Sequence, residues 1–500
     1  MKSGKIISSS VWQILNVGIF SALNIAYLMI MARNVDKVYH GSFAILFVIM
    51  LILSMVSRAG FGPAIVRRET NTVQHISFAF YGSLILGILF TIIFYLLSPF
   101  IISMYGGGLD LFFVRLSSLY FLFLSIGMVP YALIVRKMHF KKMLIAQCSA
   151  FLIGSIGIGY IMATMGFGFG ALVGGLLGFT GLNALFMYLL EPHSFKFDFS
   201  VKEGKEVFHF SIGFILSDLL FTGANYIDKL ILGKFIPAAS LALYEKGQYL
   251  TRLPVRIFGN AFDSIIYSVF SNLQTDKNRQ DQAFVNSLRM SLVFAGYVST
   301  LIYCFAESIC LLLLGPKWGD SVVVIKIFAI SIPFLMLTKL SDAVLRVHDR
   351  LYLASAIKFG FIVAILFASL SIMYLDYIST LWIITFCYCV LNFVMTVVAF
   401  KVQKVNFIDV INKSGNLILL FAGLIISTFV SNTLFDRVNS ILPMVYTLLF
   451  HLSSIFLLIY FFPSFFGRET MRNLLGDLEM SKISRLGYIK PFLRNLNNRL

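Results

Sequence analysis

The chain has 500 residues, of which 59% are hydrophobic, 15% aromatic and only 13% charged, with a net charge of +17 and a mean hydropathy of +0.88. A soluble globular chain is roughly 45–50% apolar and about 25% charged, so the composition excludes a soluble protein and describes a polytopic membrane protein. The five cysteines lie inside apolar runs without metal or redox spacing, so they read as small buried apolar residues, and no metal or cofactor is expected.

Apolar runs predict fourteen membrane-spanning helices, at 11–32, 41–66, 76–100, 111–135, 144–165, 170–190, 207–232, 239–270, 286–313, 322–345, 352–375, 379–400, 416–435 and 442–463. The first is too long for a signal-peptide core and reads as an anchor. The second carries Arg58 in SRAGFGPAIVRR, deep in a span, where a charge marks function or snorkels to cytoplasmic phosphates. Arg115 lies five residues past Asp110 at an outer end and can snorkel. The glycine-rich stretch from Gly154 to Gly181 suits close helix packing in lipid. The polar stretch 191–206 reads as a cytoplasmic linker, so the chain divides into 1–190 and 207–400, each a six-helix bundle. Two further spans at 401–466 and a basic tail at 467–500 follow, the tail reading as an interfacial helix or a solvated one.

Span seven places Asp218, Thr222, Asn225 and Lys229 on one stripe, within about 60° at the helical period. An internal Asp–Lys pair explains it as well as a functional site does. Span eight, YEKGQYLTRLPVRIFGNAFD, places Glu245, Arg252, Arg256 and Asp263 on one narrow stripe with Tyr249 beside it, and Pro254 in mid-helix leaves the Leu250 carbonyl without its usual donor. Its charges allow either a helix lying on the membrane surface or a span facing a water-filled cavity. Glu307, Lys326 and the Lys339–Asp342 pair are further charges in spans nine and ten.

Charge counting separates the two readings of span eight. With the N-terminus cytoplasmic, 27 of the 40 Lys and Arg fall on the cytoplasmic side and 5 in the outer loops. If 239–270 did not cross, the basic segments after it would face outward. The stripe therefore spans the membrane, and the basic loops explain the net charge without nucleic acid. Two arginines one turn apart suit phosphate, because a guanidinium fork binds its oxygens bidentately. No phosphate-binding loop, zinc-protease motif or nucleophile elbow occurs.

Several stretches resemble a known family. ARNVDKVYHGSFA and GFGPAIVRR are similar to the first two spans of polysaccharide exporters, and IDKLILGKF with LALYEKGQYLTRLP is similar to their corner between spans seven and eight. SNLQTDKNR, LLLLGPKWGDSVVVIKIFAI and AVLRVHDR follow in the same order, so the likeness covers roughly residues 5–410. The chain resembles Wzx-type lipid-linked oligosaccharide flippases of the multidrug/oligosaccharidyl-lipid/polysaccharide (MOP) exporter superfamily. Arg58 is not part of that pattern, so its role rests on the residue alone.

The resemblance implies an all-α, MATE-like fold of two pseudo-symmetric bundles around a cationic cavity, in a bacterial inner membrane with both termini cytoplasmic. It implies transport of an undecaprenyl-diphosphate-linked glycan by alternating access, without enzymatic activity and with a polysaccharide polymerase as protein partner. Arg252 and Arg256 would meet the diphosphate, with Lys229 and Lys339 as further cations; Arg58 is a further candidate substrate contact on its own placement in the sequence, not on the resemblance. Tyr249, Asn225 and Asn260 would meet sugars. Asp218 and Asp263 would couple transport to protons or sodium. The alternatives are a lipid II flippase, a drug or cation exporter of the same fold, and a membrane-embedded glycan polymerase or ligase. The last usually needs a large outer loop, and the predicted outer loops are short. The topology predicts that cysteines placed at Lys317 and Arg346 label from opposite faces of the membrane. Labelling from the same face would overturn the second half of the assignment.

Overall fold

In hydrocarbon every backbone N–H and C=O must be paired within its own segment, so apolar runs of this length fold as helices. The computed structural model describes residues 3–58, 60–67, 71–193, 219–220, 222–272, 277–348 and 350–405, and every regular element among them is helical. Nine described helices are long and apolar enough to cross a membrane, or ten if Ser321–Ala329 and Ile332–Val347, bent by 49°, form one span. The expected spans 416–435 and 442–463, half of 207–232, the linker from 194 on and the basic tail lie outside the described residues.

By contact density the chain divides into two units interleaved along the sequence: the described residues of Met1–Tyr249, Cys310–Val324 and Ser355–Ile384, and those of Leu250–Ile309, Ile325–Ala354 and from Thr385 on. The first unit begins with α1 (Ser3–Asn34) and α2 (Lys37–Ser57), followed by α3 (Phe61–Arg67) and α4 (Val73–Tyr105). The continuous span expected at 41–66 is therefore two helices. Gly60 takes a φ of 63°, a left-handed value open to glycine, and turns the chain between α2 and α3. Thr72 starts α4 by a capping box, its hydroxyl accepting from the His75 N–H at 3.3 Å while His75 Nδ1 accepts from the Thr72 N–H at 3.2 Å.

α5 (Leu111–Ser117), α6 (Leu119–Arg136), α7 (Phe140–Ala150), α8 (Gly159–Thr164) and α9 (Phe169–Leu190) complete the N-terminal set. Arg115 stacks on Tyr95 at 4.8 Å. The main core joins Leu46 and Met50 of α2, Phe94 of α4, Phe121 of α6, and Phe169 and Val173 of α9. A π-helical stretch, Phe151–Ile158, joins α7 to α8. Its Gly154 meets α9 so closely that a Cβ there would fall 2.2 Å from the Phe179 nitrogen. Beyond α9, Glu191 accepts from Lys137 and, at 3.3 Å, pairs with His139, with Lys142 at 3.6 Å. Burial opposes ionisation of Glu191, but the bonds from Lys137 and His139 and the Lys142 charge outweigh it, so its carboxyl lies below the usual range.

The α1–α2 turn is covered by residues 312–320. Arg33 Nη2 donates to the Leu312 carbonyl at 2.8 Å, and Lys317 Nζ donates to the carbonyls of Val35 at 2.7 Å and Arg33 at 3.2 Å. The buried Trp318 donates from Nε1 to the Ala32 carbonyl at 2.8 Å, and Lys37 pairs with Asp320 at 3.1 Å. The bonds from Trp318 and Lys317 cap carbonyls that α1 leaves open at its C-terminal end, those of Ala32 and Arg33. The rest of this unit includes α10 (residues 222–235), the first turns of α11 (Ala238–Asn272) and α16 (Leu351–Leu370) from Ser355 on.

The second unit contains the remainder of α11, α12 (Lys277–Cys304), α15 (Ile332–Val347) and the C-terminal part of α17 (Tyr377–Gln403). The short α13 (Ala306–Leu313) and α14 (Ser321–Ala329) straddle the division. Phe284, Leu288, Leu337, Leu340, Val344 and Phe400 form a core of this unit. Polar side chains join the same helices: Asn392 accepts from Thr338, Gln403 Nε2 donates to Asp281 at 2.8 Å, and His348 Nε2 bonds the Gln403 side-chain oxygen Oε1 at 2.8 Å. α11 runs through Pro254 without interruption, in line with the single span expected at 239–270. One lost hydrogen bond does not end a helix of this length.

Gly154→Ala should destabilise the α7–α9 packing by about 1–3 kcal/mol, because the added methyl meets backbone and not a side chain that can move. A lowered thermal midpoint in detergent, by tryptophan fluorescence or cysteine reactivity, is the expected reading. An unchanged midpoint would contradict the close approach.

Candidate functional site

The predicted charged residues fall into two groups, one in each unit, because the division of the chain cuts α11 between Tyr249 and Leu250. In the first unit α10 and α11 are antiparallel neighbours joined by a tight corner, which brings IDK opposite YEKGQ. Asp228 is fully buried and its Oδ2 accepts from the Tyr244 hydroxyl and, at 2.9 Å, from Gln248 Nε2. Its Oδ1 accepts from the Lys229 backbone N–H at 2.8 Å. Lys229, also buried, lies 4.0 Å from Glu245 Oε1 and 5.0 Å above the Tyr226 ring, and Lys246 lies 3.0 Å from Glu245 Oε2. Two acids and two bases balance here. Tyr244 and Gln248 are one turn apart on α11, which is why both reach one carboxylate. Asn225 and Tyr249 are half-buried in the same corner.

In the second unit Arg252 sits over the face of Tyr388 of α17, its guanidinium carbon 4.7 Å from the ring centroid. Gly259, two turns further along α11, lies under Lys339 of α15: a Cβ there would be 3.2 Å from Lys339 Cγ. Gly259 and Arg252 are seven residues apart and share a face of the helix, so the Lys339 stem runs along the stripe predicted from sequence. Arg256, on the same stripe, is exposed. Asp263 lies on α11, with its side chain outside the described set, as does that of Asn260; Asp218 lies wholly outside the described residues.

Arg58 does not sit inside a continuous helix as expected. It caps α2, with Nε donating to the Ser54 carbonyl at 3.2 Å, and its charge acts on the phenols of Tyr120 and Tyr131 on α6. The premature end of α2 at Gly60 is the reason. The structure therefore brings Lys229 to Glu245, Arg252 to Tyr388, and Lys339 to the arginine stripe. Residues that sequence reading passed over are Tyr244, Gln248 and Tyr388. The first two carried a signal, their four-residue spacing next to charged neighbours; Tyr388, 136 positions from Arg252, carried none.

Known proteins share this arrangement of helices. The chain superposes on the lipid II flippase MurJ in an inward closed conformation with a TM-score of 0.68 at 15% identity, over 93% of this chain and 100% of that one. It superposes on an inward-facing multidrug resistance transporter of the MATE family with a TM-score of 0.63 at 14% identity, over 76% of this chain and 94% of that one. At 14–15% identity these likenesses show the fold, a helical membrane bundle of the kind seen in MurJ and in MATE-family transporters. The model of the polysaccharide biosynthesis protein family matches residues 30–323, more than half the chain, and the protein is a member of that family. A relative, the succinoglycan biosynthesis transport protein ExoT of Rhizobium meliloti (strain 1021), is 21% identical over 324 residues, 64% of this chain. The match spans 65% of that relative, just under two thirds of its length.

Tyr244→Phe removes a donor from the buried Asp228 carboxylate and should cost about 1–3 kcal/mol. Thermal unfolding of the full chain in detergent should show a lower midpoint. No change would mean that Asp228 does not depend on the Tyr244 hydroxyl.

Proposed function

We propose that the protein moves an undecaprenyl-diphosphate-linked glycan from the cytoplasmic to the outer leaflet of the bacterial cell membrane by alternating access. The observation that carries this reading is the Arg252–Tyr388 stack with Lys339 on the same face of α11. Stacking uses the flat face of a guanidinium, whereas phosphate is bound through its N–H edge, so the ring can hold Arg252 in place while the edge meets a diphosphate. Arg256 and Lys339 add positive charge along that face. Asn225 and Tyr249 are proposed sugar contacts. Lys229 is a weaker candidate, since its charge is matched by Glu245. Arg58 is proposed as a further phosphate contact.

The family and the transport protein it resembles support a polysaccharide repeat unit as cargo. Deletion of the gene should stop surface polysaccharide production and leave the lipid-linked intermediate accumulated inside, measured by glycan profiling. Normal surface glycan would overturn the substrate class.

Arg252→Gln or Arg256→Gln should abolish or strongly reduce flipping with the protein still inserted at normal levels, and Lys at either position should rescue in part because it keeps the charge and loses the fork. The competing account pairs Arg256 with Asp263 as internal glue. A functional Arg256→Glu, Asp263→Arg double variant would establish that account and remove the diphosphate role of Arg256. Asp218 and Asp263 are proposed for ion coupling. Their Asn variants should lose gradient-driven transport but keep substrate binding, and unchanged transport in both would remove coupling through them.

A further inference from the structure

α14 and α15 meet at a bend of 49°, between Ala329 and Ile332. Pro333, in the first turn of α15, is the cause. It has no N–H, so the Ala329 carbonyl four residues before it loses the donor that a straight helix would supply. Sharp kinks in helices arise at such prolines. Hydroxyls complete the bonding at the bend. Ser299 of α12 donates from Oγ to the Ala329 carbonyl at 2.7 Å. Ser331 donates to the Phe328 carbonyl from its Oγ at 2.7 Å and from its N–H at 3.0 Å. A proline is tolerated inside a span where a neighbouring side chain takes over the freed carbonyl, and Ser299 does so here.

Both arms of the bend reach the charged face of α11. On the α14 arm, Phe328 packs edge-on against Tyr388 of α17, with ring centroids 6.3 Å apart and both side chains buried. The same Tyr388 ring lies under the Arg252 guanidinium at 4.7 Å. On the α15 arm, Thr338 is bonded to Asn392, one turn along α17 from Tyr388. Lys339 follows Thr338, and its stem lies against Gly259 of α11. The angle at the bend therefore relates two things: the ring that orients Arg252, and the backbone that carries Lys339.

We propose that Ser299 is a positioning residue for diphosphate binding, a role that rests on the reading of Arg252 and Lys339 as diphosphate contacts. By holding the Ala329 carbonyl, its hydroxyl fixes the angle between α14 and α15, and that angle sets the place of Lys339 against the Arg252–Tyr388 stack. Ser299 itself touches no substrate. Without its hydroxyl Pro333 still offers no N–H, so the Ala329 carbonyl finds a donor only if the arms shift. A guanidinium fork binds phosphate oxygens in a fixed geometry, so a small displacement of the cations lowers affinity without changing their charge.

Farnesyl diphosphate titrated into the full-length chain in phosphatidylcholine nanodiscs, followed by calorimetry, tests this. The wild type should bind it saturably, and Arg252→Gln should lose that binding. Ser299→Ala should weaken it by about fivefold, whereas Ser299→Thr, which keeps the hydroxyl, should stay within about twofold of the wild type. Pro333→Ala restores the N–H and lets the helix close across the bend. It should weaken binding by a similar factor while the thermal midpoint holds or rises, because alanine is the better helix former. A loss of stability alone does not give that pattern. Wild-type affinity in Ser299→Ala overturns the positioning role, as does an equal loss in Ser299→Thr. Wild-type affinity in Pro333→Ala also overturns it, since the bend would then not set the site. Equal binding by the wild type and Arg252→Gln, or none by either, is a different failure: it removes the diphosphate site, and the positioning role with it.

Discussion

An ionised side chain inside an apolar bundle persists only with a partner, because its desolvation is not otherwise recovered. The α10–α11 corner meets that constraint with two acids and two bases on neighbouring helices: Asp228 is held by Tyr244 and Gln248, and Glu245 lies between Lys229 and Lys246. Breaking such a group leaves a charge uncompensated and costs roughly 3–5 kcal/mol, so it fixes the register of one helix on the other. Arg252 lies over the aromatic face of Tyr388, a cation–π contact that orients the plane of the guanidinium. That orientation, with Lys339 on the same face of α11, is why Arg252 is placed at the centre of the transport reading.

The existence of the helices was legible from sequence because hydrocarbon leaves the backbone no other solution. The stripe on α11 was legible as well, since residues seven and eleven apart on one helix need only the helical period. What spacing could not supply was the neighbour across helices. Lys229 lies against Glu245, sixteen residues on and around a corner, a neighbour that the spacing along its own helix does not reveal. The turn at Gly60 was hidden because the apolar pattern runs through it, and only the φ of that residue ends α2. Pro254 lacks the N–H that would reach the Leu250 carbonyl, and the helix continues past it as the one span its apolar pattern predicts.

In lipid there is no hydrophobic force to drive one helix against another, and the packing of α9 in the first unit and of α12, α15 and α17 in the second use different means of contact. In the first, glycines remove side chains, and backbones approach as they do at Gly154 and Phe179. In the second, side-chain hydrogen bonds join α12, α15 and α17 through Thr338, Asn392, His348 and Gln403. Close backbone packing is unforgiving of substitution, whereas polar bonds can be exchanged for water or for one another. The first mode suits a rigid body, and the second tolerates rearrangement around α11, whose charged face carries the proposed site.

The cover over the α1–α2 turn has one ion pair, Lys37 with Asp320, and four bonds to uncharged carbonyls of Ala32, Arg33, Val35 and Leu312. Dissolved ions weaken the ion pair over a Debye length of about 8 Å at physiological strength, but they compete poorly for a carbonyl. Water competes well. This seam is therefore indifferent to ionic strength and sensitive to hydration, and whatever parts it must first let water reach the end of α1.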